Sequence, residues 1–245
     1  MPPEFPVPDF SAPALAVAAV MAAYLLLVEP LWGKSWFERM KRDRDTDPNA
    51  FTRLFGWGMV GAWGMTALVA AAVLLSPGVS WAHLGFTPGM DWSLFAGIVA
   101  GAFAGTALFA FLAWRYGFGP QILTELRPRN GRERRYAVGV SVTAGICEEI
   151  VFRGLFIAVG VSLGLPLYAA AGISLAIFTL AHLYQGPKAM AGVGLIGFFL
   201  TYLYLSTGSL LLPILLHVLI DLRGFLLTPE PRSADREPES VATAA

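Results

Sequence analysis

Charge is what this sequence holds least of: 14% of its 245 residues are charged, 56% are hydrophobic, and the mean hydropathy is +0.62. A soluble domain carries about a quarter charged residues, so the composition excludes an ordinary soluble globular class. The apolar surplus falls in long blocks, which makes a bilayer the natural solvent. Neither sign of charge prevails. The 17 Lys and Arg balance 17 Asp and Glu, so nothing draws the whole chain toward nucleic acid or an anionic surface. Cysteine is nearly absent: Cys147 stands alone, which excludes an internal disulfide and leaves the redox compartment open. Residues 1–10 hold no Lys or Arg. They do not read as a cleaved signal peptide, so the first apolar block is expected to stay in the membrane. The last four residues hold no cysteine, so the chain is not expected to be prenylated itself. No internal repeat is visible.

What is present is a series of seven apolar blocks, over 13–29, 54–75, 93–114, 136–163, 166–183, 189–205 and 209–227. Most are near the ~20 residues that span ~30 Å of hydrocarbon; the fourth is longer and fits a tilted or partly interfacial helix. The fold class predicted is all-α: a polytopic bundle of about seven transmembrane helices. The loops between the blocks alternate in charge. The first holds Lys34, Arg39, Lys41, Arg42, Arg44 and Arg53, and the third holds Arg127, Arg129, Arg132, Arg134 and Arg135. The fifth holds Lys188 and the tail holds Arg232 and Arg236, whereas the second, fourth and sixth hold no Lys or Arg. The positive-inside rule then puts the N-terminus out, the C-terminus in, and the basic loops in the cytoplasm, as in a bacterial inner membrane. The organisation expected is N-terminal helices and basic loops over 1–135, a catalytic core over 136–227, and a disordered Pro-, Glu- and Ala-rich tail over 228–245. Gly97, Gly101 and Gly105 form a tandem small-residue stripe, expected to serve helix packing inside the bundle, with a homodimer face as the alternative.

Six polar residues sit where such residues are costly: Glu148, Glu149, Arg153, His182, His217 and Asp221, all inside the apolar C-terminal half. At mid-membrane a charge costs about 2.5–3.5 kcal/mol even on a lenient scale, so they should face the bundle interior and find partners. Glu149 and Arg153 are four apart, acid first, the favourable order for a helical ion pair. Glu148, about 100° round an α-helix and roughly 18 Å along it from Tyr136, is expected to be buried near mid-bilayer and to point elsewhere. Phe178 with His182, and His217 with Asp221, each share one helix face by the same spacing. A desolvated carboxylate suits general base and acid work on water. A histidine can hold that water, and a second histidine beside an acid can polarise a carbonyl, support an oxyanion or bind a metal. One Glu with two His is also a zinc-type ligand set, so zinc and a metal-free glutamate mechanism both stand open. The chemistry supported is amide hydrolysis by activated water within the membrane.

These residues resemble the CPBP family, the CAAX-protease and bacteriocin-processing intramembrane proteases, also called type II CAAX prenyl endopeptidases or Abi proteins. The resemblance rests on Glu148-Glu149-Ile150-Val151-Phe152-Arg153, Phe178-Thr179-Leu180-Ala181-His182 and His217-Val218-Leu219-Ile220-Asp221, in that order on three predicted spans, and covers about 136–223. It implies a glutamate-dependent endopeptidase acting on membrane-embedded or membrane-anchored peptides and proteins, prenylated or not. In that family pattern Glu148 and His182 activate water, His217 and Asp221 support the oxyanion, and Glu149 and Arg153 orient the first motif. The eukaryotic prenyl proteases have Asn where this chain has Asp221. An ionised Asp cannot donate to an oxyanion, so Asp221 is left to orient His217 or to help bind a metal.

Plainer readings stand beside these. Glu149–Arg153 is also what a structural ion pair looks like, and His217–Asp221 what an interhelical hydrogen bond looks like. Cys147 is more simply packing than a nucleophile, His83 a solvated loop residue, and the run over 127–135 a topogenic signal before a lipid-binding one. Of other function classes, an ion- or proton-coupled transporter uses the same residue types, but inverted repeats are lacking. A non-catalytic immunity or scaffold protein would tolerate loss of Glu148.

Overall fold

A computed structural model of the chain describes residues 5–87, 92–116 and 125–227. The expected disordered tail lies outside the described residues. Those described form helices and connections with no strand. Ser11 caps α1 (Ala12–Leu27) through its hydroxyl, and its backbone N–H donates to Ser76 at the far end of α3. The helix breaks at Val28, before Pro30, and α2 (Glu29–Asp43) leaves at 45°. After α2 come α3 (Ala50–Leu74), a 3₁₀ turn at Trp81–Leu84, and α4 (Trp92–Tyr116).

The C-terminal half begins at α5 (Gly131–Glu148), capped by the Asn130 side chain. It runs without a break into a π-helical segment, Glu149–Phe156, and then α6 (Ile157–Ser162). Next come α7 (Leu167–Ala181), a 3₁₀ turn at Leu183–Gln185, α8 (Pro187–Thr207) and α9 (Leu211–Leu226). Helix α5 packs between α3 and α9, while α7 packs against α1, α6 and α8. The main core joins α1, α3, the π segment and α7 around Met21, Val69, Leu155, Ile157 and Phe178. Many large apolar residues face outward, among them Val20, Leu31, Trp32, Trp57, Val60, Leu195, Phe198 and Tyr202. On a protein in water these would be an aggregating surface; on this chain they are the surface lipid covers.

Each of the seven apolar blocks lies on helix. By length and composition alone, however, α3 and the 189–207 part of α8 suffice to cross a membrane, with the bent α1–α2 pair as a third candidate. The fourth block is divided by its π segment, and α7 and α9 are only 15 and 16 residues long. The loops gather at two ends. At one, Arg44 donates twice to Glu133, at 3.0 and 2.9 Å, and once to the Arg127 carbonyl, while Arg129 pairs with Asp45 and Arg132 donates to Asn49. The turn at 183–185 joins them through contact with α2. At the other end lie Ser11 with Ser76, and the Gly85 carbonyl with the Leu210 N–H.

Three expectations need correction. Gly97, Gly101 and Gly105 make no close helix approach among the described residues: a Cβ at any of them meets nothing within 4 Å there. The close helix approaches fall instead at Gly145 against Val218, Gly160 against Ala170, and Gly197 against Phe178. Part of the basic run is structural, since Arg44 and Glu133 side chains are only 5% and 7% exposed and Arg129 and Arg132 bridge to the first loop. Burial pulls the Arg44 guanidinium below its ordinary value and the Glu133 carboxylate opposes that. His83 is not merely solvated; its Nδ1 meets the Ser80 hydroxyl and N–H and closes a capping box on the 3₁₀ turn.

Candidate active site

The three motifs meet. Glu148 ends α5, Glu149 and Arg153 lie on the π segment, His182 follows the last turn of α7, and His217 and Asp221 lie on α9. The π segment departs from the regular α-helix that the spacing suggested. Its wider turn still brings residues four apart to one side, and the Arg153 guanidinium donates to Glu149 Oε1 at 2.9 Å. The carbonyl of Phe152 in that segment is satisfied by the Ser174 hydroxyl of α7 at 2.6 Å. Such single π turns recur at functional sites.

Glu149, not Glu148, is the fully buried acid, at 0% exposure beside Arg153 at 1%. Its Oε1 also accepts from His217 Nδ1 at 2.7 Å. Arg153 then reaches α8, donating to the Gly197 carbonyl at 2.9 Å and the Thr201 hydroxyl at 3.3 Å, with its guanidinium 4.5 Å from the Phe178 ring centroid. Four helical elements are thus tied through one ion pair. Gly197 and Thr201 went unread in the sequence, because a glycine carbonyl and a threonine on an apolar helix carry no spacing signal; Phe178 was read as sharing a face with His182, but not as a partner of Arg153. Gly145 was missed for the same reason. A Cβ there would lie 2.5 Å from Val218 Cγ2 and 2.9 Å from its backbone N, so only glycine lets α5 approach α9 one turn before Glu148.

Glu148 is only half-buried, its side chain 26% exposed, which corrects the expectation of a buried carboxylate. Its neighbour has Arg153 in direct contact to offset desolvation; among the described residues Glu148 has no Lys or Arg in ion-pair contact and is partly exposed. Two imidazole nitrogens face it: His182 Nε2 and His217 Nε2 each stand 3.9 Å from Glu148 Oε2. The other nitrogens fix the tautomers. His182 Nδ1 is 2.8 Å from the Phe178 carbonyl, which can only accept, and His217 Nδ1 is 2.7 Å from the Glu149 carboxylate. Both Nδ1 atoms therefore carry a proton, and in the neutral rings both Nε2 atoms present lone pairs toward Glu148. Asp221 does not orient His217 through Nδ1, since Glu149 does that. Asp221 Oδ2 lies 3.8 Å from His217 Nε2, on the same side as Glu148. Cys147 is a buried free thiol.

A gap of 3.9 Å is too wide for a hydrogen bond and too narrow for two waters in line. One water, ~2.8 Å from each partner, fits at its apex. A tetrahedral zinc with ligands at about 2.0–2.2 Å holds neighbouring donors about 3.4 Å apart, closer than these stand. No group of three or more His, Cys, Asp or Glu among the described residues has metal-holding geometry. The donor set as placed fits water better than a metal ion.

The apolar outer surface and apolar helices make this an integral membrane protein. Comparison with curated proteins and with solved structures gives no match. A family model does match: the one described as type II CAAX prenyl endopeptidase, Rce1-like, matches residues 134–223, the stretch that holds all six polar residues.

Proposed function

We propose that the protein is an intramembrane endopeptidase that hydrolyses a peptide bond of a membrane-associated substrate with water activated by Glu148 and His182. The observation that carries this is the convergence of Glu148 Oε2 with two tautomer-fixed Nε2 atoms, each at 3.9 Å. A water held there donates one proton to Glu148 and one to His182 Nε2. As its oxygen attacks the scissile carbonyl carbon, Glu148 takes up the first proton. The carbonyl oxygen becomes an oxyanion, and the tetrahedral intermediate collapses as the C–N bond breaks. Glu148 returns the proton to the leaving nitrogen, so the acid–base cycle closes on one residue.

His217 has its Nδ1–H committed to Glu149, so it stabilises an oxyanion only when Nε2 also carries a proton. Glu149 and Asp221 are the counter-charges for that cation, which gives Asp221 a role that needs no donor of its own. Glu149 and Arg153 hold the frame and touch no reacting atom. His182 adjoins the fifth-loop turn that contacts α2, at the end where the basic loops gather, and the positive-inside rule turns that end toward the cytoplasm.

The substrate is sought by comparing membrane peptides from cells with wild-type protein and with Glu148→Gln. Peptides shortened only in the wild type support the reading; identical peptide sets count against it.

A further inference from the structure

The site as described has one unguarded member. His217 is clamped by Glu149 inside the bundle, but His182 sits at the very end of α7, where the helix has already stopped. Its Nδ1 bond to the Phe178 carbonyl lies within its own turn and does not by itself fix the tilt of the ring. Two aromatic rings do. Phe178 lies with its centroid 4.8 Å from the imidazole, and Tyr184 stacks on it at 6.1 Å with an interplanar angle of 26°.

Tyr184 in turn is not fixed by its own segment. It belongs to a three-residue 3₁₀ turn with no buried residue, closed by Gly186 at φ 85°. What packs on it is α2. A Cβ at Gly33 would lie 3.2 Å from Tyr184 Cδ1, and the Phe37 ring meets the Tyr184 ring edge-on at 6.2 Å. Gln185 donates to the phenol oxygen at 3.1 Å. Burial pushes the phenol up to about 12, so Tyr184 stays neutral in any ordinary assay and contributes its ring rather than a charge.

We infer that Tyr184 is a positioning residue for His182 and that α2, which lies outside the matched segment 134–223, holds it through Gly33 and Phe37. The inference rests on the endopeptidase reading. It makes the N-terminal half part of the site's frame: a chain cut down to the matched segment keeps all six polar residues and Tyr184 but loses the α2 residues Gly33 and Phe37 that hold Tyr184 against His182.

The test uses the full chain in membranes. Tyr184→Ala lowers kcat about tenfold with little change in KM, the size usual for loss of a supporting partner of a catalytic group. Tyr184→Phe, which keeps the ring, recovers most of that loss. Gly33→Val drives a side chain into the ring without weakening the helix, because valine is no worse a helix former than glycine. It lowers kcat in the wild-type background and adds little in the Tyr184→Ala background. Additive losses, or a Tyr184→Ala defect carried by KM, overturn the inference.

A second measurement needs no turnover. In a Glu148→Gln background, His182 is carbethoxylated by diethyl pyrocarbonate and the adduct counted by mass spectrometry. Tyr184→Ala and Gly33→Val are expected to raise the rate at His182 severalfold while Tyr184→Phe does not; equal rates in all of them refute the positioning role. Cleavage that survives Glu148→Gln would instead count against the endopeptidase mechanism and leave the labelling result to be read alone.

Discussion

At the scale of single residues, two adjacent acids have opposite surroundings. Glu149 is sealed between Arg153 and His217, whereas Glu148 faces two imidazoles across a water-sized gap. Breaking a buried pair costs about 3–5 kcal/mol, so Glu149→Gln is expected to lower both thermal stability and activity. A variant as stable as wild type would show that the pair is not the clamp described. Asp221→Asn is expected to lose most of the cleavage, as Asp221→Ala does, because the residue acts through its charge on His217 Nε2, 3.8 Å away; cleavage retained in Asp221→Asn would show that a polar neighbour without charge suffices. Treatment with 1,10-phenanthroline followed by metal-free dialysis leaves activity in place. Loss that added zinc restores would mean that the donors close from their 3.8–3.9 Å separation around a metal. All six residues were legible in the sequence because ionisable groups in apolar blocks stand out by cost alone. Their partners were not. Spacing along a helix suggests that Glu149 can reach Arg153, but says nothing of His217 approaching from a helix 68 residues later.

At the scale of elements, the site depends on how closely α5 and α9 approach. Gly145→Leu places a side chain where Val218 backbone already stands 2.9 Å from a Cβ. Overpacking of this kind costs about 1–3 kcal/mol, and here it also moves His217, the next residue along. The variant is expected to lose cleavage out of proportion to its drop in melting temperature. Normal activity would place the α5–α9 approach outside the catalytic frame. The helices themselves were readable from hydropathy, and each apolar block became helix. The π segment was not, since nothing in Glu149–Phe156 differs in composition from ordinary helix; tertiary bonds such as Ser174 to the Phe152 carbonyl hold it. The glycines misled for a related reason. A small-residue stripe shows that helices can approach, while the partner's shape decides where they do.

At the scale of the whole molecule, loop contacts sort the connections into two ends. The first and third loops are bonded to each other and the fifth touches α2, while the N-terminal segment, the second loop and the sixth meet at the far end. That sorting suits the alternation of charge along the sequence and makes topology testable. With Cys147 replaced by Ala, cysteines placed at Arg42 and Arg134 are expected to react with a membrane-impermeant maleimide only from the cytoplasmic side, and one at Ala82 only from the outside. Labelling of all three from one side would contradict the orientation. The central claim, however, is that Glu148 activates the water that cuts the substrate, and purified protein in proteoliposomes addresses it most directly. Glu148→Gln keeps the shape of the side chain and removes its basicity. It is expected to lower the cleavage rate by about 10²-fold or more, the usual worth of a general base, with unchanged expression and melting temperature. Cleavage at the wild-type rate by that variant would contradict the account.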